Sequence, residues 1–185
     1  MSAPEQPVDR VMVAVGRTAA HVRIVGRGSL KLGPALREFL AAAEGQGIRR
    51  ACFDLAPCET LDSTILGIIA GSAMRLRRKG GGVEVAGLSV KTLGLFRTLG
   101  LDHLIVATPA GGDAGSAGEP WADPAPDRLV TLGRDAATRA ADETILEAHE
   151  DLVAASADNL PRFRDVIEFM RDSVARRQTE GGGKP

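Results

Sequence analysis

The stretch Asp54-Leu55-Ala56-Pro57-Cys58-Glu59-Thr60-Leu61-Asp62-Ser63-Thr64-Ile65-Leu66-Gly67 decides how this chain folds. A strand-like apolar run ends at its start, a short turn follows, and Asp62-Ser63-Thr64 opens a helix. A helix N-terminus carries unpaired N–H groups and partial positive charge. It is therefore capped well by Asp or Ser, and it accommodates an anion such as phosphate. Two readings of the triplet stand side by side: an ordinary helix cap, or a hydroxyl presented beside a carboxylate for chemistry.

The spacing predicts a helix from Thr64 to Lys79. Leu66, Ile69, Ala73 and Leu76 recur at helical spacing and face a core. Ser63, Gly67, Gly71 and Met74 form another stripe on the same helix. An interior glycine costs about 1 kcal/mol relative to alanine. Two of them in line with the serine imply a close approach, either by a partner or by the protein's own sheet. Arg75, Arg77, Arg78 and Lys79 suit a helix C-terminus, and Gly80-Gly81-Gly82 stops it.

Outward from this segment, Val11–Val15 and His21–Val25 are β-rich, and residues 33–44 form a helix carrying Leu36, Phe39 and Leu40. Arg50–Leu55 reads as a strand buried on both faces. Val83–Leu88 is a further strand, Val90–Leu99 a helix stopped by Gly100, and Leu104–Val106 a last short strand. The order β-β-α-β-α-β-α-β predicts an α/β fold, one mixed sheet packed with helices.

The order Asp-Leu-x(6)-Asp-Ser-[Ser/Thr]-x-Leu-Gly resembles the signature of anti-sigma factor antagonists, the small STAS-domain proteins. Gly80-Gly81-Gly82-Val83-Glu84-Val85-Ala86-Gly87-Leu88 is followed by Val90-x(2)-Leu93-x(2)-Phe96-x(2)-Leu99-Gly100-Leu101. This looks like the family's final strand and helix, closed by a Leu-Gly-Leu turn. The resemblance covers about Val11 to Ala107. It implies a STAS-like mixed sheet and a bacterial regulator of sigma-factor-dependent transcription that works by binding. It implies phosphorylation at Ser63, with Thr64 as the lesser alternative, by an anti-sigma factor serine kinase. A PP2C-type phosphatase would reverse it. Asp62, Ser63, Thr64, Gly67, Gly71 and Met74 would then form the partner-binding face. Ile65 stands where the family usually has glycine, two residues after the serine. That departure favours an alternative, a STAS-domain adaptor or assembly module without a phosphoswitch.

Charge is unevenly spread. Residues 1–106 hold 14 Lys and Arg against 9 Asp and Glu, and residues 107–185 hold 9 against 15. The first half is thus net +5 and the second net −6, which predicts complementary docking between them. Without an aromatic-rich basic patch, direct nucleic-acid binding is not expected. Ile65–Ala70, the most apolar run, is far short of the ~18–20 residues of a membrane span. No signal peptide is read, since Pro4, Glu5 and Asp9 interrupt the N-terminus. With only Cys52 and Cys58, a cytoplasmic protein without a disulfide framework is expected. His21, His103 and His149 fall on three separate elements, and no histidine adjoins Asp62-Ser63 in sequence. Each is read as a surface or packing residue. No catalytic residue, metal site or cofactor is expected, and the chain is read as a non-enzyme. A small-ligand site at the helix start is the weakest alternative, for want of convergent polar groups.

Three regions are expected: a STAS-like domain over 1–106, a linker over 107–126, and a helical extension over 127–185 with a disordered tail. Of the 20 residues from Ala107 to Pro126, 8 are Gly or Pro and 6 are Ala, which sustains no periodic apolar face. Trp121 could dock this linker on a folded surface. Beyond it, 134–155 and 159–177 read as a helical hairpin. The first helix bears Asp135, Asp142, Glu143, Glu147, Glu150 and Asp151; the second has Phe163, Val166, Ile167, Met170 and Val174 at near-heptad spacing. A hairpin of this size must bury its stripe on its own domain, on a second copy in a homodimer, or on a partner.

Overall fold

The computed structural model describes residues 9–109, 129–133 and 138–181. Its elements run β1 (Arg10–Val15), β2 (Ala19–Gly28), a 3-10 turn (Leu30–Leu32), α1 (Gly33–Gly45), β3 (Arg50–Asp54) and β4 (Cys58–Leu61). They continue as α2 (Ser63–Arg78), β5 (Gly82–Leu88), α3 (Val90–Thr98), β6 (Ile105–Pro109), β7 (Val130–Thr131), α4 (Thr138–Ala155), a second 3-10 turn (Ala157–Asn159) and α5 (Leu160–Gly181). The expected order of strands and helices is present, with two strands added.

The sheet is mixed, in the order β6-β5-β3-β2-β1-β7, and β4 pairs separately with β2. β1 and β2 form an antiparallel hairpin in which Val13 faces Val22. β2, β3, β5 and β6 run parallel, joined through α1, α2 and α3. Strands covered by such crossovers need apolar residues on both faces, and Ala51, Cys52 and Phe53 are all buried. Phe53, Ile24, Leu36, Leu40, Ile69 and Leu76 are fully buried where α1 and α2 meet the sheet.

β2 continues past Val25, where its reading from sequence stopped at a glycine. Gly26 adopts φ 72° and the pairing with β4 shifts register beside it. β4 occupies what the sequence reads as a turn: Cys58-Glu59-Thr60-Leu61 has no alternating pattern, and among the described strands it pairs with β2 alone. Gly87 fixes where the β3–β4 turn passes. Its φ of 75° and an Ala56 nitrogen 2.4 Å from any added Cβ leave no room for a side chain.

The boundary expected at residue 107 moves. Ala107, Thr108 and Pro109 belong to β6 and pair with Val85, Ala86 and Leu88 of β5. Trp121 and most of the expected linker lie outside the described residues, as does Asp135. In the extension, Val130–Thr131 joins the sheet as β7 on the free side of β1. The hairpin lies on its own domain: α4 packs against both α1 and α2, and α5 packs against α4. Ala148 and Leu152 enter the main core, and complete burial of a leucine contributes about 1.5–3 kcal/mol. Ile167 and Met170 close the α4–α5 seam, with Arg171–Glu150 (2.7 Å) and Arg177–Asp142 (2.8 Å) at its margins.

Asn159 pins the hairpin turn. Only 1% exposed, its Nδ2 donates to the Leu99 carbonyl at 2.9 Å and to the Leu152 carbonyl at 2.8 Å. It thereby ties the end of α3 to the end of α4. Asn159→Ala leaves two buried carbonyls without this donor. We expect a loss of about 1–3 kcal/mol, read as a lower urea midpoint with an unchanged m-value.

Candidate functional site

Asp62 and Ser63 sit where β4 gives way to α2. Asp62 is the N-cap, in extended conformation, and its Oδ1 accepts from the Ile65 amide at 3.0 Å. Its Oδ2 accepts from the Leu30 amide at 2.6 Å, while its own amide donates to Gly28 O at 3.0 Å. One carboxylate thus fixes the start of α2 to the segment after β2, before any partner is considered. The capping role is therefore real, and it falls to Asp62 rather than to the Ser63 hydroxyl. An open cavity of about 320 Å³ adjoins Asp62, lined also by Arg27, Lys31, Ser29 and Thr60, and Ser63 does not line it.

Ser63 is half-buried, and its Oγ lies 2.9 Å from Nε2 of His149 on α4. His149 is 4% exposed, and its Nδ1 lies 2.7 Å from the carbonyl oxygen of Ile145. A carbonyl only accepts, so Nδ1 carries a proton and donates it. In the neutral ring Nε2 then accepts, and the Ser63 hydroxyl donates to it. The ring also meets Phe163 of α5 edge-on, with centroids 5.0 Å apart. No histidine adjoins the serine in sequence, yet folding brings one from 86 positions away. A serine donating to an imidazole is the arrangement that activates a nucleophile. Here the pair is sealed between two helices, and it bonds α4 to the first residue of α2.

The glycine stripe meets neither of the two expected neighbours. A Cβ on Gly67 would lie 2.1 Å from the backbone oxygen of Ala148, so α4 approaches α2 backbone to backbone. A Cβ on Gly71 would lie 1.8 Å from Oδ2 of Asp151, the far end of a side chain. Near Gly33, the methyls of Thr64 and Thr144 converge. Thr144, Ala148 and Asp151 therefore follow Thr64, Gly67 and Gly71 in turn, and the two helices run in the same direction. Of the expected partner-binding face, Thr64, Gly67 and Gly71 are buried by the chain itself; Asp62, Ser63 and Met74 are half-buried. In this structure Thr64, Gly67 and Gly71 offer no surface to another molecule. Ile65, the departure from the family pattern, is fully buried in the main core. Its bulk is accommodated inside the fold and does not obstruct the serine.

Ion pairs flank this contact. Arg37 of α1 pairs with Glu147, and Arg75 of α2 reaches Asp151 at 3.9 Å and Glu44 at 3.2 Å. Basic groups on the first half meet acidic groups on the second, as the charge asymmetry implied. Burial pushes the Asp151 carboxyl up to about 6, and Arg75 only partly offsets it. Cys52 is pushed up to about 11, also by burial, and Cys58 is raised for the same reason, so neither is a thiolate at neutral pH. Among the described residues no cluster of His, Cys, Asp and Glu is arranged to hold a metal ion. No helix among them is long and apolar enough to cross a membrane.

The family model described as "Mlab, STAS domain" matches residues 11–107, and the chain belongs to the STAS-domain family. Similar solved structures include the anti-sigma factor antagonist SpoIIAA in its unphosphorylated form. It is 17% identical with a TM-score of 0.48, over 52% of this chain and 85% of that one. The Bacillus cell fate determinant SpoIIAA in its phosphorylated form is 18% identical with a TM-score of 0.45, over 52% and 88%. An anti-sigma factor antagonist from Mycobacterium paratuberculosis is 24% identical with a TM-score of 0.49, over 62% and 95%. Among curated proteins no relative matches the chain.

The contact geometry separates two substitutions of the same kind. Gly67→Ala meets backbone, which cannot step aside, and should destabilise by about 1–3 kcal/mol despite its better helix propensity. Gly71→Ala meets a carboxylate that can rotate away, so its cost should be clearly smaller. Urea melts of the two variants check the order.

Asp151 gives a pH signature. Its folded pKa lies above the ordinary carboxylate value, so its contribution to stability is complete below about 3.8 and is lost as the pH rises through about 6. Asp151→Asn should match the parent at pH 4 and exceed it at pH 7.5 by on the order of 1–2 kcal/mol, allowing for partial solvent exposure. Paired melts across that range measure the difference.

Proposed function

We propose that this protein is an anti-sigma factor antagonist: it binds an anti-sigma factor serine kinase and is controlled by phosphate on Ser63. The observation that supports this most is the start of α2. Within the region matched to the STAS family, Asp62 is fully committed to capping, so the neighbouring Ser63 hydroxyl is not used as the cap and bonds His149 of α4 instead. Thr64, the other candidate, is 4% exposed and out of reach. Phosphate adds about −1.5 to −2 charge at neutral pH, partly offset by the helix N-terminus and opposed by Asp62. At an interface shaped for a hydroxyl, that dianion must be desolvated without a partner, which breaks the complex. A PP2C-type phosphatase would restore binding. The protein would act by association in the cytoplasm, with no cofactor and no nucleic-acid contact of its own.

A second reading, the STAS-domain adaptor without a switch, is favoured by the burial of Gly67 and Gly71 beneath α4. The two readings part in one experiment. The protein is incubated with ATP and the serine-kinase anti-sigma factors of its own genome, and phosphate is located by mass spectrometry. We expect phosphate on Ser63 and none in Ser63→Ala. Ser63→Asp should bind the kinase at least tenfold more weakly than Ser63→Ala, about 1.4 kcal/mol. Equal binding of both variants, with no phosphate at Ser63, establishes the adaptor.

A further inference from the structure

The proposed phosphosite is covered by the chain's own hairpin, and this covering has the form of a bound helix. The groove between α1 and α2 offers a serine at one end, a glycine at the crossing, and an arginine on each wall, Arg37 and Arg75. α4 answers each feature: His149 to Ser63, the backbone of Ala148 to Gly67, Glu147 to Arg37, and Asp151 to Arg75. Only small residues at the crossing permit such an approach. Cations on both walls select an acidic helix.

We propose that the α4–α5 hairpin is a displaceable occupant of this groove, so that the Ser63 face is a helix-binding surface filled by α4 in the closed form and by an acidic helix of a partner in the open form. This rests on the role of Ser63 proposed above. A kinase cannot place its phosphoryl group on a hydroxyl whose oxygen lies 2.9 Å from an imidazole nitrogen buried under another helix. The composition of the contact suits release. Among the described α4 side chains, Ala148 and Leu152 are the buried apolar ones, and His149, Glu147 and Asp151 add polar contacts to Ser63, Arg37 and Arg75. Segments with few buried apolar contacts lie at the low-stability end of a fold. The Asp151 carboxyl, raised by burial, is a further cost of the closed form. Closure and phosphate on Ser63 also exclude one another, and linkage makes that exclusion reciprocal: whatever opens the hairpin favours modification, and modification favours the open form.

The test needs neither kinase nor phosphate, so it can fail or succeed independently of the phosphoswitch. In the full chain, Ser63→Cys places a thiol under α4, and Cys52, 1% exposed in β3, reports on the sheet. Alkylation by iodoacetamide is followed at each cysteine by mass spectrometry. In the parent background Cys52 and the thiol at position 63 should both react slowly. Adding Ala148→Arg should accelerate position 63 at least tenfold and leave Cys52 unchanged. A stapled helical peptide of residues 141–155 should then restore protection at position 63. Position 63 unchanged by Ala148→Arg, Cys52 accelerating in step with it, or a saturating peptide that gives no protection each overturns the proposal. Hydrogen exchange on the unmodified protein covers the case in which Ala148→Arg does not fold. The amides of α4 should exchange at least tenfold faster than those of β3, and exchange at a common rate overturns it equally.

Discussion

The approach of α4 to α2 depends on a side chain that is not there. Gly67 lets the Ala148 backbone oxygen come within 2.1 Å of where a Cβ would sit, and the rest of the contact follows from that distance. At this separation His149 reaches Ser63, Asp151 passes over Gly71 toward Arg75, and Glu147 meets Arg37. A larger residue at the crossing would lift the helix and stretch these interactions together. Because interhelical hydrogen bonds depend steeply on distance, the polar contacts act only while the backbone contact holds. The charges then set orientation more than stability, since pairs this exposed each contribute little.

The STAS region was largely legible from the chain itself. α2 announced both ends, through Asp62 as cap and Gly80 after a basic last turn, and its apolar stripe fixed which face meets the sheet. β3 was readable because its apolar run matched burial on both faces. β4 and β7 were not. Four residues without alternation and two residues far along the chain have no periodicity to detect, and their strand character comes from the edges they pair with.

The site was legible in its residues but not in its surroundings. Asp62 and Ser63 stood out because a capping carboxylate and a hydroxyl not needed as the cap adjoin at a helix start. The glycine stripe correctly signalled a close approach and was silent about what approached. His149 carried no local sign at all: its role depends on a contact spanning 86 positions and on the register of one helix against another. The available signal was indirect, in the excess of acid in the second half facing an excess of base in the first. Ile65 shows the reverse case. It looked like an obstruction at the site because it stands two residues from the serine, yet a helix turns through roughly 200° over two positions, which sends its side chain into the core.

The two residues of β7 have a consequence for how the domain could be isolated. Val130–Thr131 pairs with Met12 and Val13, so the extension supplies backbone partners to what would otherwise be an unpaired border of the sheet. Exposed strand borders recruit strands from other molecules. At the opposite border, a chain ended at residue 106 would lose three of the five residues of β6. A fragment trimmed to the apparent limits of its fold would thus be damaged on both flanks at once. Its tendency to aggregate would say little about the intact molecule, whose hairpin carries with it the strand that keeps β1 from growing into a neighbour.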